Sequence, residues 1–340
     1  MKEIQLRKDN HVALALADAV RTSAASGLDD YRLEHNALPE IDFSKIDTSV
    51  TFLGRRMNLP LVISSITGGG GISGKINMAL AGVANDFNIG FSVGSQRCVI
   101  DDARLKKSFL VRSFAPNILL LANLGAAQLN YGYSIDECRK AVDMIGADAL
   151  TLHLNPLQEA FQHSGTTNFS GLLKKIEVVC KKLDTPVIVK EVGYGISASV
   201  AKKLADVGVY AIETAGGCSI SWSELETIKT NDIVLKKAAE AFANWGNPTT
   251  ECIKSIAENV GKVKIIASGG IDTGVKMAKS IALGADLCGI ASAFLKKVME
   301  SRSECENFVE TLSFELKVAM FCVGCQNVQQ LKSAKIVKVR

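Results

Sequence analysis

The 340-residue sequence predicts an α/β protein built as a closed (β/α)₈ TIM barrel, and three observations carry that reading. Eight short runs of apolar and β-branched residues recur along the chain with turn residues at their ends. Helix-like stretches, apolar at three- and four-residue spacing, separate most of them. No Pro/Gly/Ser-rich linker or compositional break interrupts the succession, which favours one closed barrel over an open doubly wound sheet. Length alone is compatible with about two domains or with one large barrel.

Residues 1–60 precede the first strand and are expected to form an N-terminal arm. The barrel is assigned to residues 61–293. Its strands are read as Leu61–Thr67, Ile89–Ser95, Ile118–Gly125, Ala149–Asn155, Val187–Val192, Val209–Thr214, Val263–Ser268 and Leu287–Ala291. A helix follows the third strand at Asp136–Ile145, the fourth at Phe169–Leu183, the fifth at Ala198–Val207 and the seventh at Thr273–Leu283. Val187-Ile188-Val189 is apolar at consecutive positions. A sheet covered on both faces needs this, because alternation would bury polar groups, and such a sheet is parallel. Residues 294–340 are expected to be a C-terminal helical extension of the same single domain.

With 47% hydrophobic and 22% charged residues the chain can bury a large core, which argues against intrinsic disorder. Arg7, Lys8, Asp9 and Asp18 interrupt the opening segment, so it does not read as a signal peptide. No run approaches the roughly 20 apolar residues of a membrane span, and a cytoplasmic protein without a membrane partner is expected. Nine cysteines in such a chain read as reduced, mostly buried thiols. The Cys322-Val323-Gly324-Cys325 motif lacks the second CxxC or paired histidines that zinc would need, so it reads as packing. The net charge of +4 is spread along the chain and does not point to nucleic acid; an acidic ligand must be recognised locally.

Functional residues of such a barrel lie at the C-terminal ends of its strands. Two motifs there are declined. Gly69-Gly70-Gly71-Ile72-Ser73-Gly74 matches a dinucleotide fingerprint, but the next strand ends in Ser95-Gln96 where a ribose-binding acid belongs. The overlapping P-loop pattern has Ile76 where a hydroxyl should hold Mg²⁺. Ser268-Gly269-Gly270-Ile271 and Gly289-Ile290-Ala291-Ser292, after the seventh and eighth strands, occupy the usual phosphate position of a barrel. There, backbone N–H groups and a helix N-terminus hold an anion. Lys190 ends an apolar strand and points a cation at the mouth, either towards an anionic ligand or into a pair with Glu191. With Asn123 and Thr67 it forms a polar ring suited to a flat heterocycle. Arg7, Lys8, His11, Arg97 and His153 taken singly read as solvated or structural. Taken with Glu159, which could hold Mg²⁺, they describe a diphosphate site, although spacing does not establish that they converge.

Across nearly its whole length the sequence resembles the type 2, FMN-dependent isopentenyl-diphosphate isomerases. The matching segments include Arg7-Lys8 with His11, Thr67-Gly68-Gly69, Gly94-Ser95-Gln96-Arg97, Ala122-Asn123-Leu124-Gly125, His153-Leu154-Asn155-Pro156-Leu157-Gln158-Glu159, Lys190-Glu191-Val192-Gly193 and Ser268-Gly269-Gly270-Ile271. The resemblance implies FMN held by Ser65, Ile66, Thr67, Ser95, Asn123, Lys190, Thr214, Ser219, Gly269, Gly270, Ile271, Ala291 and Ser292. It implies substrate held by Arg7, Lys8, His11, Ser95, Gln96, Arg97, His153, Asn155 and Gln158. Glu159 would be the Mg²⁺ ligand, NADPH the reductant, and the assembly a homo-oligomer, tetramer or octamer. Ile66 stands where the family has Met and Asn10 where Glu is common. Gly216–Trp222 departs from the family's Gly-Gly-Thr-Ser-Trp.

The reaction so implied moves the double bond of isopentenyl diphosphate to give dimethylallyl diphosphate. It must protonate an unactivated alkene and remove a proton two carbons away, for which ordinary side chains are weak acids. Reduced FMN would shuttle the proton while Gln158, which does not ionise, positions the alkene or relays the proton. The nearest alternative is an FMN-dependent TIM-barrel oxidoreductase, in which Arg7 and Lys8 would be idle. A catalytically silent flavin- or phosphate-binding barrel with a regulatory role is the alternative from another class.

Overall fold

The computed structural model describes residues 24–67, 71–217, 221–228 and 230–339. Its strands are β1 (Tyr31–Leu33), β2 (Val50–Phe52), β3 (Arg55–Met57), β4 (Leu61–Ile63), β5 (Gly90–Ser92), β6 (Leu120–Gly125), β7 (Ala149–His153), β8 (Val187–Lys190), β9 (Ala211–Glu213), β10 (Lys264–Ser268), β11 (Leu287–Ile290) and β12 (Ile336–Lys338). Strands β4 to β11 close into a parallel barrel in chain order, with β11 pairing back onto β4. Each coincides with one of the eight runs read from the sequence. Most stop short at the C-terminal end, where Ser64–Thr67, Val93–Ser95 and Glu191–Val192 leave the ladder and turn into loops.

The residues that meet inside the barrel explain which end is the site. Val62, Leu121, Ile188, Ala211, Ile266 and Leu287 form an apolar cluster within the lower barrel. Two residues further along the same strands come Ser64, Asn123, Lys190, Glu213, Ser268 and Gly289, all lining one cavity of about 910 Å³. Side chains two apart share a strand face, so each strand passes from an apolar to a polar or side-chain-free inner position towards its C-terminal end.

Elements outside the barrel close its other end. Phe52 and Met57 of the β2–β3 hairpin are buried in the inner apolar cluster. Arg55 of the hairpin holds Asp148 through Nε at 3.0 Å and Nη2 at 2.7 Å, and Asp148 Oδ2 also accepts Leu120 N–H. Asp286, likewise one residue before a strand, accepts Ile265 N–H and pairs with Lys332 at 2.6 Å. The helical extension expected after residue 293 supplies the helices Ser292–Glu300 and Arg302–Cys322 but ends in a strand, β12, antiparallel to β1. Both chain extensions are thus fastened to each other and to the barrel floor. The eight cysteines among the described residues are free, and burial pushes the Cys138 and Cys252 thiols up to about 12.

Candidate active site

The cavity is built around three features. The first is the loop pair after β10 and β11. Gly269 and Gly270 have φ of +104° and +70°, conformations that favour glycine. Ile271 is buried behind them. A Cβ on Gly269 would lie 2.4 Å from the Gly216 carbonyl oxygen, so this glycine is required by contact between two protein loops. Ala291 precedes the helix Ser292–Glu300, whose first N–H groups have no intrahelical acceptor and carry the positive end of its dipole. Lys276, paired with Asp272 at 2.9 Å, stands on the same wall.

The second is the run of strand ends from β4 to β9. Asn123 donates Nδ2 to Ser65 Oγ at 2.7 Å, and Ser65 Oγ shares a bond of 2.7 Å with Ser92 Oγ. Asn123 Oδ1 accepts from His153 Nδ1 at 2.9 Å, which makes Nε2 the acceptor in a neutral ring. Thr67 Oγ1 is engaged with Ser73 Oγ at 2.8 Å. Lys190 is 7% exposed, and its Nζ reaches the Glu191 backbone carbonyl at 2.6 Å, not the carboxylate. No carboxylate of the described residues pairs with it. A buried ammonium needs a negative or electron-rich partner, and the cavity is where its remaining N–H bonds can find one.

The helix Pro156–Phe161 after β7 carries the third feature. Proline at its first position costs no hydrogen bond there. Asn155 Nδ2 donates to Gln158 Oε1 and to Glu159 Oε1, both at 3.0 Å. Gln158 Nε2 donates to Glu226 Oε1 at 2.8 Å. Its amide is therefore fixed at both ends. Glu159, 6% exposed, accepts Thr166 N–H on its other oxygen. Asn155 Oδ1 is buried with no hydrogen-bond partner among the described residues. A carboxylate beside an unspent amide oxygen is the donor set a hard divalent cation takes up. At the rim, Arg97 pairs with Asp101 at 3.8 Å, and Asp101 accepts from Tyr133 OH at 2.7 Å.

Of the expected site residues, Ser65, Ile66, Thr67, Ser95, Arg97, Asn123, His153, Asn155, Gln158, Glu159, Lys190, Gly269, Gly270, Ile271, Ala291 and Ser292 all line this cavity. Two are corrected. Gln96 is fully buried and spends its amide on the protein, donating to Ala141 O at 2.8 Å and accepting Asn123 N–H at 2.9 Å. Thr214 Oγ1 is likewise spent between Ser268 N and O, stapling β9 to β10. Arg7, Lys8, His11 and Ser219 lie outside the described residues. Glu213, Trp222 and Glu226 escaped the sequence reading. The inward two-residue alternation would have found Glu213, and Glu226 lies one helical turn beyond Trp222.

The barrel with two glycine-bearing loops and a buried lysine at its mouth defines a class, the FMN-dependent dehydrogenases, whose family model matches residues 15–107 and 135–338. Solved structures of mandelate oxidase share the fold: the one with (S)-2-phenylpropionate superposes with a TM-score of 0.67 at 17% identity, covering 99% of this chain and 97% of that one. Closer in sequence is the isopentenyl-diphosphate delta-isomerase of Nostoc sp., 45% identical over 97% of this chain and 95% of that protein. The one from Oceanobacillus iheyensis is 43% identical over 99% and 97%. The chain belongs to the isopentenyl-diphosphate delta-isomerase family.

Proposed function

We propose that this enzyme interconverts isopentenyl and dimethylallyl diphosphate, with FMN and Mg²⁺ bound in the cavity of about 910 Å³. The observation that carries the reading is the sharing of one cavity by two groups of residues. One group is the glycine loops with the buried Lys190; the other is Gln158, an amide fixed between Asn155 and Glu226.

The residues present fit an FMN. The loops after β10 and β11 suit its phosphate, Lys190 and the Ser65–Asn123–His153 chain suit the polar edge of its ring, and Ile66 and Ile271 suit its apolar faces. Reduced FMN supplies the acid and base chemistry towards an alkene that the side chains lack. Glu159 would hold Mg²⁺ against diphosphate oxygens, and Arg97 with the N-terminal Arg7, Lys8 and His11 would clamp them. Gln158, unable to ionise, orients the alkene. Glu226, one hydrogen bond behind it, is an ionisable group through which a proton can be taken up or returned.

The test follows from redox balance. The double-bond shift leaves the oxidation state of the substrate unchanged, so one charge of NADPH or dithionite, kept anaerobic, should support many turnovers, and air should stop them. An oxidoreductase would consume one reductant or acceptor per product. Full isomerisation by oxidised enzyme would overturn the reduced-flavin mechanism, and NADPH loss matching product one for one would overturn the isomerase reading.

A further inference from the structure

The loop after β8 is folded around a buried carboxylate. Glu191 is 5% exposed, and its Oε2 accepts the backbone N–H of Val192 at 2.6 Å, of Gly193 at 2.7 Å and of Tyr194. Three donors converging on one oxygen curl the backbone into an anion-holding nest. Two groups of the curled segment then reach one neighbouring helix. The Val192 carbonyl accepts from Trp222 Nε1 at 2.8 Å, and Tyr194 OH accepts the Ser223 N–H at 3.0 Å. Trp222 and Ser223 are the first two residues of the helix Trp222–Thr227, where backbone N–H groups lack intrahelical acceptors. One turn on, Glu226 accepts from Gln158 Nε2.

Glu191 itself does not line the cavity, whereas Val192, Gly193 and Trp222 do. We propose that Glu191 is a positioning residue for the reaction. Its carboxylate fixes the Val192–Tyr194 loop, the loop fixes the start of the helix Trp222–Thr227, and the helix sets Glu226 against Gln158. The inference rests on the role given above to Gln158. A second route from Glu191 exists through Lys190, whose Nζ meets the Glu191 carbonyl. That route would act on the flavin, so the two are separable.

The experiment uses reduced holoenzyme and two mild variants, Glu191→Gln and Tyr194→Phe. The chain has two tryptophans, Trp222 and Trp245. Indole-¹⁵N labelling therefore gives two N–H resonances, assigned with Trp245→Phe and recorded without substrate. In Glu191→Gln the Trp222 resonance should move and kcat should fall by about 10- to 100-fold, the size of effect a small misplacement of a reacting group produces. KM and the FMN dissociation constant should stay within about threefold of wild type, as for an interaction made only in the transition state. Tyr194→Phe, which loses one of the two links, should show a smaller kcat loss, again without change in KM.

Wild-type kcat in Glu191→Gln despite a shifted resonance would overturn the proposal. So would a reduced kcat with an unmoved Trp222 resonance and weakened flavin binding, which is the Lys190 route. Should Glu191→Gln fail to fold, Tyr194→Phe decides alone, and an unchanged kcat there refutes the link. Wild-type enzyme that makes no dimethylallyl diphosphate would sink the isomerase reading and the positioning role with it, while the substrate-free resonance still reports whether the loop and helix are joined.

Discussion

Glu159 and Glu191 are both buried carboxylates, and the protein treats them differently. Glu159 lines the cavity, with one oxygen taking Asn155 Nδ2 and the other Thr166 N–H. Glu159→Gln should keep the fold and the flavin but lose Mg²⁺-dependent turnover, since a neutral amide is a poor ligand for a hard ion. Wild-type Mg²⁺ activation in that variant would place the metal elsewhere. Glu191 faces backbone, and burial pushes its carboxyl up to about 7, outweighing three N–H bonds and the nearby Lys190. Burial likewise pushes the neighbouring Cys252 thiol up to about 12 and raises the Tyr194 phenol. A raised folded-state value means that the contribution of Glu191 to stability is complete below its unfolded value of 4.5 and is lost as pH rises through about 7. Glu191→Gln should therefore gain stability relative to wild type across that window, by up to about 3 kcal/mol. Urea unfolding at pH 5 and pH 8 measures it; an equal difference at both would refute the buried-acid account. Gln96 and Thr214 entered the expected site through the family resemblance. Strand-end position is legible, but which atoms a side chain has already bonded is not.

The barrel strands were legible because being buried on both faces leaves continuous apolar runs in the sequence. The β2–β3 hairpin and the β1–β12 pair were not. Each strand is three residues long, β3 opens with Arg55-Arg56, and β1 meets a partner some 300 residues away, so no local pattern marks them. The glycine loops lie between these cases. Their place after the seventh and eighth strands pointed to a phosphate, yet the structure separates the two glycines. A side chain at Gly269 must displace Gly216 and Thr249. Gly269→Val should thus lower the melting temperature as well as release flavin. Gly270, at φ +70°, should give the more selective effect: Gly270→Val should weaken FMN by at least about tenfold, a β-branched residue being strained there and crowding the phosphate loop. Full flavin retention after desalting Gly270→Val would remove this loop from the phosphate site.

At the scale of the whole molecule, stability and chemistry sit at opposite ends of one barrel. The hairpin closes the floor with Phe52, 3% exposed, and Met57, fully buried, while Phe52 stacks edge-on against Tyr210 at 5.6 Å between centroids. The layer above is apolar and the next is the polar cavity floor, so a substitution at the plug meets no group of the site directly. Phe52→Ala removes a buried ring and leaves a cavity that the closed barrel cannot collapse, a change worth about 3–5 kcal/mol. Against a total of roughly 5–15 kcal/mol that is a large fraction, and the melting temperature should drop clearly. Well below that temperature, FMN affinity and kcat should remain near wild type, because packed strands hold the upper layer once the barrel is closed. The floor is also tied to the chain extensions, through Arg55 with Asp148 and Lys332 with Asp286, so unfolding should remain a single transition in which flavin release and loss of helical signal coincide. If Phe52→Ala lost flavin far below its melting temperature, the two ends would be coupled through the barrel, and the separation of floor from site would have to be given up.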